Sequence, residues 1–472
     1  MSRATPASPW RDRLRTHGST MLLALLVVVC LTGGGSRADI ASLAFLRFVS
    51  ALAVCAALVT VRREDLVRIA LPLALLAALA VIAGLQLVPL PPSAWSALPG
   101  RDLIGQLDAL LGLDVWRPVT LSPFKTANSL ASLVVPLAVL LLFAMTRDRT
   151  RVLVCLVAMG VLGALIGIVQ VFVAPSAAIY FYDITNRGEA VGLFANRNHH
   201  AVYLACCALI SLHLTRSREI GAVWRWGFAA CALVLAIAVL GNASRAGVIA
   251  LLIVGLMSLG AYAVRLAQPG SAQRTGRSAR GRVVLSAVLA VAGVAILALF
   301  ALAERSPALS RILGGNELAE LRARILPHLV QMVAEFQPLG AGLGAFEYAY
   351  RMGEPVELLG RSYLNQAHND WLQFLIEGGI GAIVVLAGGA IAAILQGRRL
   401  RKMHRLGAET QEAWLGLALL VVLGVASLVD YPLRVPSVMA LAIIALAMFS
   451  ARGPRFRPAT GRHQPDVNSG QQ

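Results

Sequence analysis

Histidine and asparagine, scarce in this largely apolar chain, gather with arginine in short motifs that each run into an apolar stretch. The fullest is NQAHNDWLQFLIEGGIG, Asn365 to Gly381, with His368, Asn369 and Asp370 at the head of a long apolar helix. Asn369 or Asp370 can cap its first turn, where unpaired amides and a positive dipole end are available. An imidazole beside such an end is suited to holding an anion or taking a proton. YDITNRGEAVGLFANRNHH repeats the design with Arg187, Asn196, Arg197, Asn198, His199 and His200 at the mouth of another helix. In GNASRAG, Ser244 can cap the next helix, which leaves Arg245 in its first turn, where a cation opposes the dipole. Such a cation needs either an acid in the bundle or a substrate anion. In LVDYPLRVP, Asp430 and Arg434 stand four residues apart in a tight turn and are expected to pair with each other. No metal centre is expected. His199 and His200 cannot reach one ion from one helix face, and Asp370 and Glu377 are seven residues apart on one helix.

The elements that must position these residues are membrane helices. With 472 residues, 58% of them hydrophobic and only 14% charged, and a mean hydropathy of +0.72, the chain is too apolar for a soluble protein of its length. Runs long enough to cross a bilayer recur near 19–35, 39–60, 67–90, 126–146, 152–173, 198–214, 225–241, 246–264, 283–303, 371–396, 413–429 and 435–450. With the N-terminus inside, the cytoplasmic segments of this twelve-span arrangement carry 27 of the 42 Lys and Arg residues but only 8 of the 24 acids. That asymmetry is what the retention of positive charge on the cytoplasmic side requires. The net charge of +18 is therefore a record of topology, and no nucleic-acid partner is needed to explain it. The first run reads as a retained span, since no A-x-A cleavage site follows it. All six cysteines fall within spans, where they pack as small apolar groups.

Between the spans, the segment QLVPLPPSAWSALPGRDLIGQLDALLGLDVWRPVTLSPFKTA reads as an ordered interfacial loop. Its Arg101, Arg117 and Lys125 are expected to pair with lipid phosphates or with Asp102, Asp108 and Asp114. Arg47 lies inside a span and is expected to snorkel or to face the bundle interior. Arg265 to Arg282 reads as a flexible cytoplasmic linker. The one large outside loop, 304–370, is rich in arginine and includes Arg322 and Arg324. Within it, Leu318 to Phe336 has the spacing of an amphipathic helix lying along the membrane surface, and Pro338 to Phe346 is a Gly-rich turn. With this topology spans six, eight, ten and twelve all begin on the outside, each behind one of the polar motifs. Four dipole ends with arginines around one cavity is an arrangement suited to a diphosphate.

Taken in order, GLFANRNHHAVYL, NASRAG, QPLGAGLGAF, AHNDWLQFLIEGGIG and SLVDYPLRVP resemble the O-antigen ligase (Wzy-C) family of polytopic bacterial membrane glycosyltransferases. The resemblance implies an all-α, GT-C-like membrane protein of about 12 helices with one large periplasmic loop between spans nine and ten. It divides the chain into N-terminal helices (1–185), an O-antigen ligase-like region (186–396) and two last helices with a basic cytoplasmic tail (397–472). It implies transfer of a glycan from an undecaprenyl-diphosphate carrier to a lipid, glycan or protein acceptor at the periplasmic face of the inner membrane, by inversion, without metal or cofactor. Membrane lipids are the other expected partners, and both termini are expected in the cytoplasm. The family's essential basic residues carry over onto His368 and Arg245, and its arginine before the PLG turn onto Arg324 or Arg322, although Pro327 stands where the family usually has Trp. Arg197 and Arg187 are further candidates for the donor diphosphate. Asn196, Asn198, His199, Asn369, Asp370, Asp430 and Arg434 would support the site. His368 would act as general base or as a diphosphate ligand. A polysaccharide polymerase, a protein O-oligosaccharyltransferase and, from another class, a secondary transporter are the rival readings; the chain shows no repeated halves of the kind transporters carry.

Overall fold

A segment in hydrocarbon can satisfy its own backbone only as a helix or within a closed barrel. In the computed structural model, which describes residues 15–217, 219–266, 317–359, 363–402 and 408–451, with side chains of all but 261–266, 317–323 and 408, the expected spans that fall within these residues are helical. They comprise α1 (Gly18–Thr32), α2 (Ala41–Thr60), α3 (Ala70–Gln86), α4 (Pro123–Ser132), α5 (Val134–Met145), α6 (Arg149–Phe172), α7 (Arg197–Leu214), α8 (Ala222–Gly241) and α9 (Arg245–Leu266). After these come α10 (Glu317–Glu335), α11 (Phe346–Met352), α12 (Asp370–Lys402), α13 (Ala408–Ala426) and α14 (Pro436–Ser450). Among the described residues six helices are long and apolar enough to cross a membrane by length and composition, with α4 and α5 counted as one run, and four more apolar helices are shorter. The chain is thus a helical membrane protein. The span expected at 283–303 and the linker 267–282 lie outside the described residues.

α7 runs through the middle of the bundle. Its residues from His199 to Ser211 are all buried, as in a helix apolar on every side. α6, α8, α9 and α13 pack around it, and α1, α5 and α14 continue the same core. Two histidines on so buried a helix must be held by polar partners, and both are found at the end of α7 where the motifs meet.

A second, smaller core covers that end. Ile325, Leu329, Met332 and Phe336 recur at helical spacing along α10 and are buried with Phe346, Tyr350, Ala367 and Ile376. The amphipathic helix expected at 318–336 therefore exists, but its apolar face packs on protein instead of lying on lipid.

Glycine fixes how this cap joins the bundle. α12 is broken at Gly379, whose φ of 54° and ψ of −139° lie outside helical space. Into the break fits the Gly-rich turn: Ala341 N donates to Ile376 O at 2.9 Å, Gly342 N to Glu377 O at 3.0 Å, and Ile380 N to Pro338 O at 2.8 Å. A Cβ on Gly340 would strike the Glu377 carbonyl, and one on Gly379 the Pro338 carbonyl, so the two glycine motifs exist for each other. Gln86, the last residue of α3, seals the joint from the third side. Its Nε2 donates to Leu339 O (3.0 Å) and Glu377 O (2.8 Å), and its Oε1 accepts from Leu343 N (2.9 Å).

Arg101 corrects the reading of its loop. It is 1% exposed and pairs with neither lipid nor acid; its Nη2 donates to Gly340 O (2.8 Å) and Val119 O (2.7 Å), and its Nη1 to Pro99 O (2.8 Å). Burial pulls its pKa down to about 10, so it stays a cation at neutral pH and clamps the Gly-rich turn with carbonyl dipoles. Arg117 does pair with Asp108 (2.7 Å), whereas Lys125 approaches Glu347 at 3.6 Å. Arg47 donates to Asn128 Oδ1 at 2.8 Å, so it faces a neighbouring helix of the bundle.

Candidate functional site

Each polar motif caps the helix that follows it. Asn196 accepts from Asn198 N (2.7 Å) at the start of α7, Ser244 Oγ accepts from Gly247 N (3.1 Å) at α9, and Asn369 Oδ1 accepts from Leu372 N (3.1 Å) at α12. These are local consequences of Asn and Ser at the boundary between polar and apolar sequence. The turn before α14 has a different task, because Asp430 joins the other three.

Asp430 is 1% exposed. Its Oδ2 accepts from Asn198 Nδ2 at 2.6 Å, and its Oδ1 from His368 Nδ1 at 3.1 Å and from Tyr431 N at 3.0 Å. His199 Nε2 lies 3.7 Å from the same Oδ1. Asn198 is tied back through its own Oδ1, which accepts from Ser244 Oγ at 2.8 Å, next to Arg245. A continuous chain, Ser244 to Asn198 to Asp430 to His368, therefore links the N-terminal ends of α9, α7, α14 and α12. Burial pushes the Asp430 carboxyl up, but His199 and His368 beside it hold it well below the usual carboxylate range. As an anion it only accepts, which puts the shared hydrogen on His368 Nδ1 and leaves Nε2 as the ring's acceptor.

His368 is held in an uncommon conformation. Its φ is +50°, in the left-handed region that costs a non-glycine residue of the order of 1 kcal/mol or more. The surroundings fix it there: Ala367 N donates to Gln373 Oε1 (2.9 Å), Asn369 Nδ2 to Leu428 O (3.0 Å), and Asp370 N to Ser427 O (2.9 Å). The edge of the Tyr431 ring meets both imidazoles, at 5.0 Å from His368 and 4.8 Å from His199. His368 keeps 19% of its side chain exposed, against 2% for His199. Within the carboxylate's reach, His368 is the ring a substrate can meet.

Arg434 belongs to a second cluster. The expected pairing with Asp430 does not form, because each finds better partners across the turn. Arg434 Nη2 donates to Glu377 Oε2 at 3.0 Å, and its Nε lies 3.3 Å from Asp370 Oδ1. Two carboxylates seven residues apart stand two turns apart on one helix face, and one guanidinium spans them. The remaining oxygens are also engaged. Asp370 Oδ2 accepts from Ser427 Oγ and Leu433 N, each at 3.1 Å, and Glu377 Oε1 accepts from Gln373 Nε2 at 2.9 Å.

The other candidates are placed less centrally. Arg245, the first residue of α9, is exposed next to Ser244. Arg197 is paired with Glu189 at 2.7 Å; Arg187 is exposed, donates to Pro175 O at 2.8 Å and covers the Tyr180 ring at 5.7 Å. Neither is linked to the Asp430 network by a direct contact among the described residues. Arg324 is exposed on α10 and reaches Glu357 O at 3.4 Å, and the side chain of Arg322 lies outside the described ones. His200 turns away from its neighbour, with Nδ1 2.9 Å from Ala190 O, against the glycine-lined wall of Gly163 and Gly192. Among the described residues no group of three or more His, Cys, Asp or Glu side chains is placed to hold a metal ion.

Sequence reasoning missed Tyr431 as the ring packed between two imidazoles and Gln373 as the pin of the His368 turn. The D-Y-P tripeptide and a glutamine buried in an apolar helix were the available signals.

The O-antigen ligase family model (Wzy_C) matches residues 229–387. A search of curated proteins finds no match. The matched stretch holds Arg245, Arg324, the Gly-rich turn and His368, and it supports assignment to the O-antigen ligase family of membrane glycosyltransferases; Asn198, Asp430 and Arg434 lie on either side of it and are joined to it at Ser244, His368 and Glu377, and His199 lies outside it beside Asp430.

Proposed function

We propose that the chain transfers a glycan from an undecaprenyl-diphosphate carrier to an acceptor hydroxyl at the periplasmic face of the bacterial inner membrane, as an inverting, metal-independent ligase. The observation that carries this reading is the contact between His368 Nδ1 and the buried Asp430 carboxylate at 3.1 Å, at the meeting point of four helix N-termini. The O-antigen ligase match supplies the class of reaction.

The acceptor oxygen attacks the anomeric carbon as the bond from that carbon to the diphosphate breaks. His368 Nε2 takes the acceptor's proton, and Asp430 stabilises the imidazolium that results, a contribution of roughly 10² to 10⁴ in rate. Charge growing on the diphosphate is met by helix N-termini and by arginine forks, which remain cationic and bind phosphate in a bidentate way. Arg245 is the first such fork, because Ser244 ties its helix end to the Asp430 network. Arg324, on the cap, is the second. Arg197, already committed to Glu189, and Arg187 are assigned to holding the loop that carries Asn196 and Asn198.

Deletion of the gene tests the reaction. Accumulation of undecaprenyl-linked full-length polymer supports a ligase, and accumulation of single repeats identifies a polymerase instead. Transfer by the purified protein is expected to persist in excess EDTA. Loss of transfer with rescue by Mg²⁺ or Mn²⁺ would overturn the metal-free mechanism.

A further inference from the structure

At the end of the bundle opposite His368, three helices leave an opening that the transfer reaction does not use. The short helix Arg63–Arg68 leads into α3 there, α12 runs towards its C-terminus, and α14 ends at Ser450. Between them lies a cavity of about 450 Å³. Val67, Leu71, Ala392 and Leu395 supply its apolar wall, and among the described residues Arg68 and Arg399 supply the only formal charges that line it.

These arginines differ from those that acids hold in place. Arg15 is held by Asp65 at 2.8 Å, Arg149 by Glu412 at 2.7 Å and Arg117 by Asp108 at 2.7 Å. For Arg68 and Arg399 no acid lies within ion-pair distance among the described residues, and both are exposed. The nearest acids in sequence are already occupied: Asp65 receives Arg15 and the Arg62 amide, and Glu64 approaches Arg15 at 3.9 Å. Two unmatched guanidinium groups above an apolar cleft that opens between membrane helices fit one kind of molecule, an anion with hydrocarbon attached. The chain of this end also carries Arg398, Arg401 and Lys402, which repel any cationic headgroup.

We propose that this cleft is a binding site for an anionic phospholipid of the adjoining leaflet, with its phosphate between Arg68 and Arg399 and an acyl chain along Leu71 and Leu395. Arginine suits the task because its planar fork takes a phosphate through two bonds, and basic pockets between membrane helices attract acidic lipids at a small number of sites. A bound lipid joins the ends of α3, α12 and α14, and His368 stands two residues before the far end of α12. The site is independent of the transfer reaction, and its test does not depend on that activity.

Protein purified from membranes and exchanged into detergent is examined by native mass spectrometry with added phosphatidylglycerol or phosphatidylcholine. Phosphatidylglycerol is expected to be retained as one adduct in preference to phosphatidylcholine, and Arg68→Gln with Arg399→Gln is expected to weaken that retention roughly tenfold or more. The control is Arg398→Gln with Arg401→Gln, which removes the same charge from the same end without touching the cleft, and it should retain the lipid. Equal loss in both variants would mean diffuse attraction and overturn the site. Equal retention of both lipids, or retention unchanged in the Arg68/Arg399 variant, would overturn it as well. A third arm separates lipid from free anion. Leu395→Asn should weaken retention, and about 20 mM inorganic phosphate should leave it intact. Displacement by phosphate with no effect of Leu395→Asn would make the cleft a simple anion site and sink the lipid proposal.

Discussion

Asp430 and Arg434 stand four residues apart in one turn, yet the clusters they build are opposites. Around the Asp430 anion are neutral or titratable donors, Asn198, His199 and His368, and one of them is partly open on a left-handed backbone. Around the Arg434 cation are two carboxylates whose remaining oxygens are taken up by Ser427, Gln373 and main-chain amides. The first cluster has a proton that can leave and a face a substrate can reach. The second has charges compensated by one another within the fold. The difference assigns chemistry to the Asp430 side and support to the Arg434 side, with Asp370 two residues from His368 as the mechanical link between them.

The largest expected effect is on the open ring. His368→Ala should lower transfer by roughly 10² to 10⁴ at only a modest cost in thermal stability, since a partly exposed side chain is removed while alanine, like histidine, keeps the Cβ that strains the left-handed backbone. Donor retained by the variant would mark His368 as base, and donor lost would mark it as a diphosphate ligand. Normal transfer by a stable His368→Ala protein would erase the functional side of the comparison.

Arg434→Gln comes next and should act on folding. It strands Asp370 and Glu377 as buried, uncompensated carboxylates, at a cost of about 3–5 kcal/mol. The measurement is the unfolding temperature of purified protein, with transfer normalised to folded protein. Replacing all three at once, by Arg434→Met, Asp370→Asn and Glu377→Gln, should recover much of the stability. A stable Arg434→Gln protein with no transfer would move Arg434 into the reaction.

Asp430→Asn sharpens the contrast from the other side, with an expected fall in transfer of roughly 10², because an amide cannot favour the protonated dyad as a carboxylate does. The sign of its pH behaviour follows from its depressed pKa. The carboxylate's contribution is complete above its unfolded value of about 3.9 and is lost only as pH falls through the lower folded value. An acid limb of transfer between pH 5 and 8 is therefore not the titration of Asp430. Unchanged transfer by a folded Asp430→Asn protein would leave Asp430 a purely structural role.

Much of this was legible in the sequence, and the reasons it was so are local. Apolar length specified the helices, and Asn196, Ser244 and Asn369 announced their caps because a cap is settled within three residues. The expectation that the polar motifs ahead of four helices share one cavity has its counterpart in the bonds that join Ser244, Asn198, Asp430 and His368. What could not be read was the choice of partner. Asp430 and Arg434 look like an ion pair at spacing four, and only the approach of α12 and α7 offers each a better one. Arg101 looked like an interfacial cation, but a buried clamp of carbonyls is assembled from three separate segments. The break at Gly379 was hidden in the same way, since a glycine in an apolar helix reads as a small residue until the Gly-rich turn is seen lying against it.

Ser244 carries the smallest and most discriminating effect. Its hydroxyl does two things at once, accepting from Gly247 N to cap α9 and donating to Asn198 Oδ1 to join that cap to the Asp430 network. Ser244→Ala removes both and should cost about 0.5–2 kcal/mol in stability. If the network positions Arg245 for the donor, the loss should also appear as a several-fold weaker donor affinity, with turnover at saturating donor little changed. Ser244→Gly separates the two jobs, because glycine at a helix start costs only a few tenths of a kcal/mol yet still lacks the hydroxyl. Restored stability with donor affinity still weak in Ser244→Gly would show the Asn198 bond acting on the site. Recovery of both would reduce Ser244 to a cap, and would leave the Asp430 cluster with three helix ends in place of four.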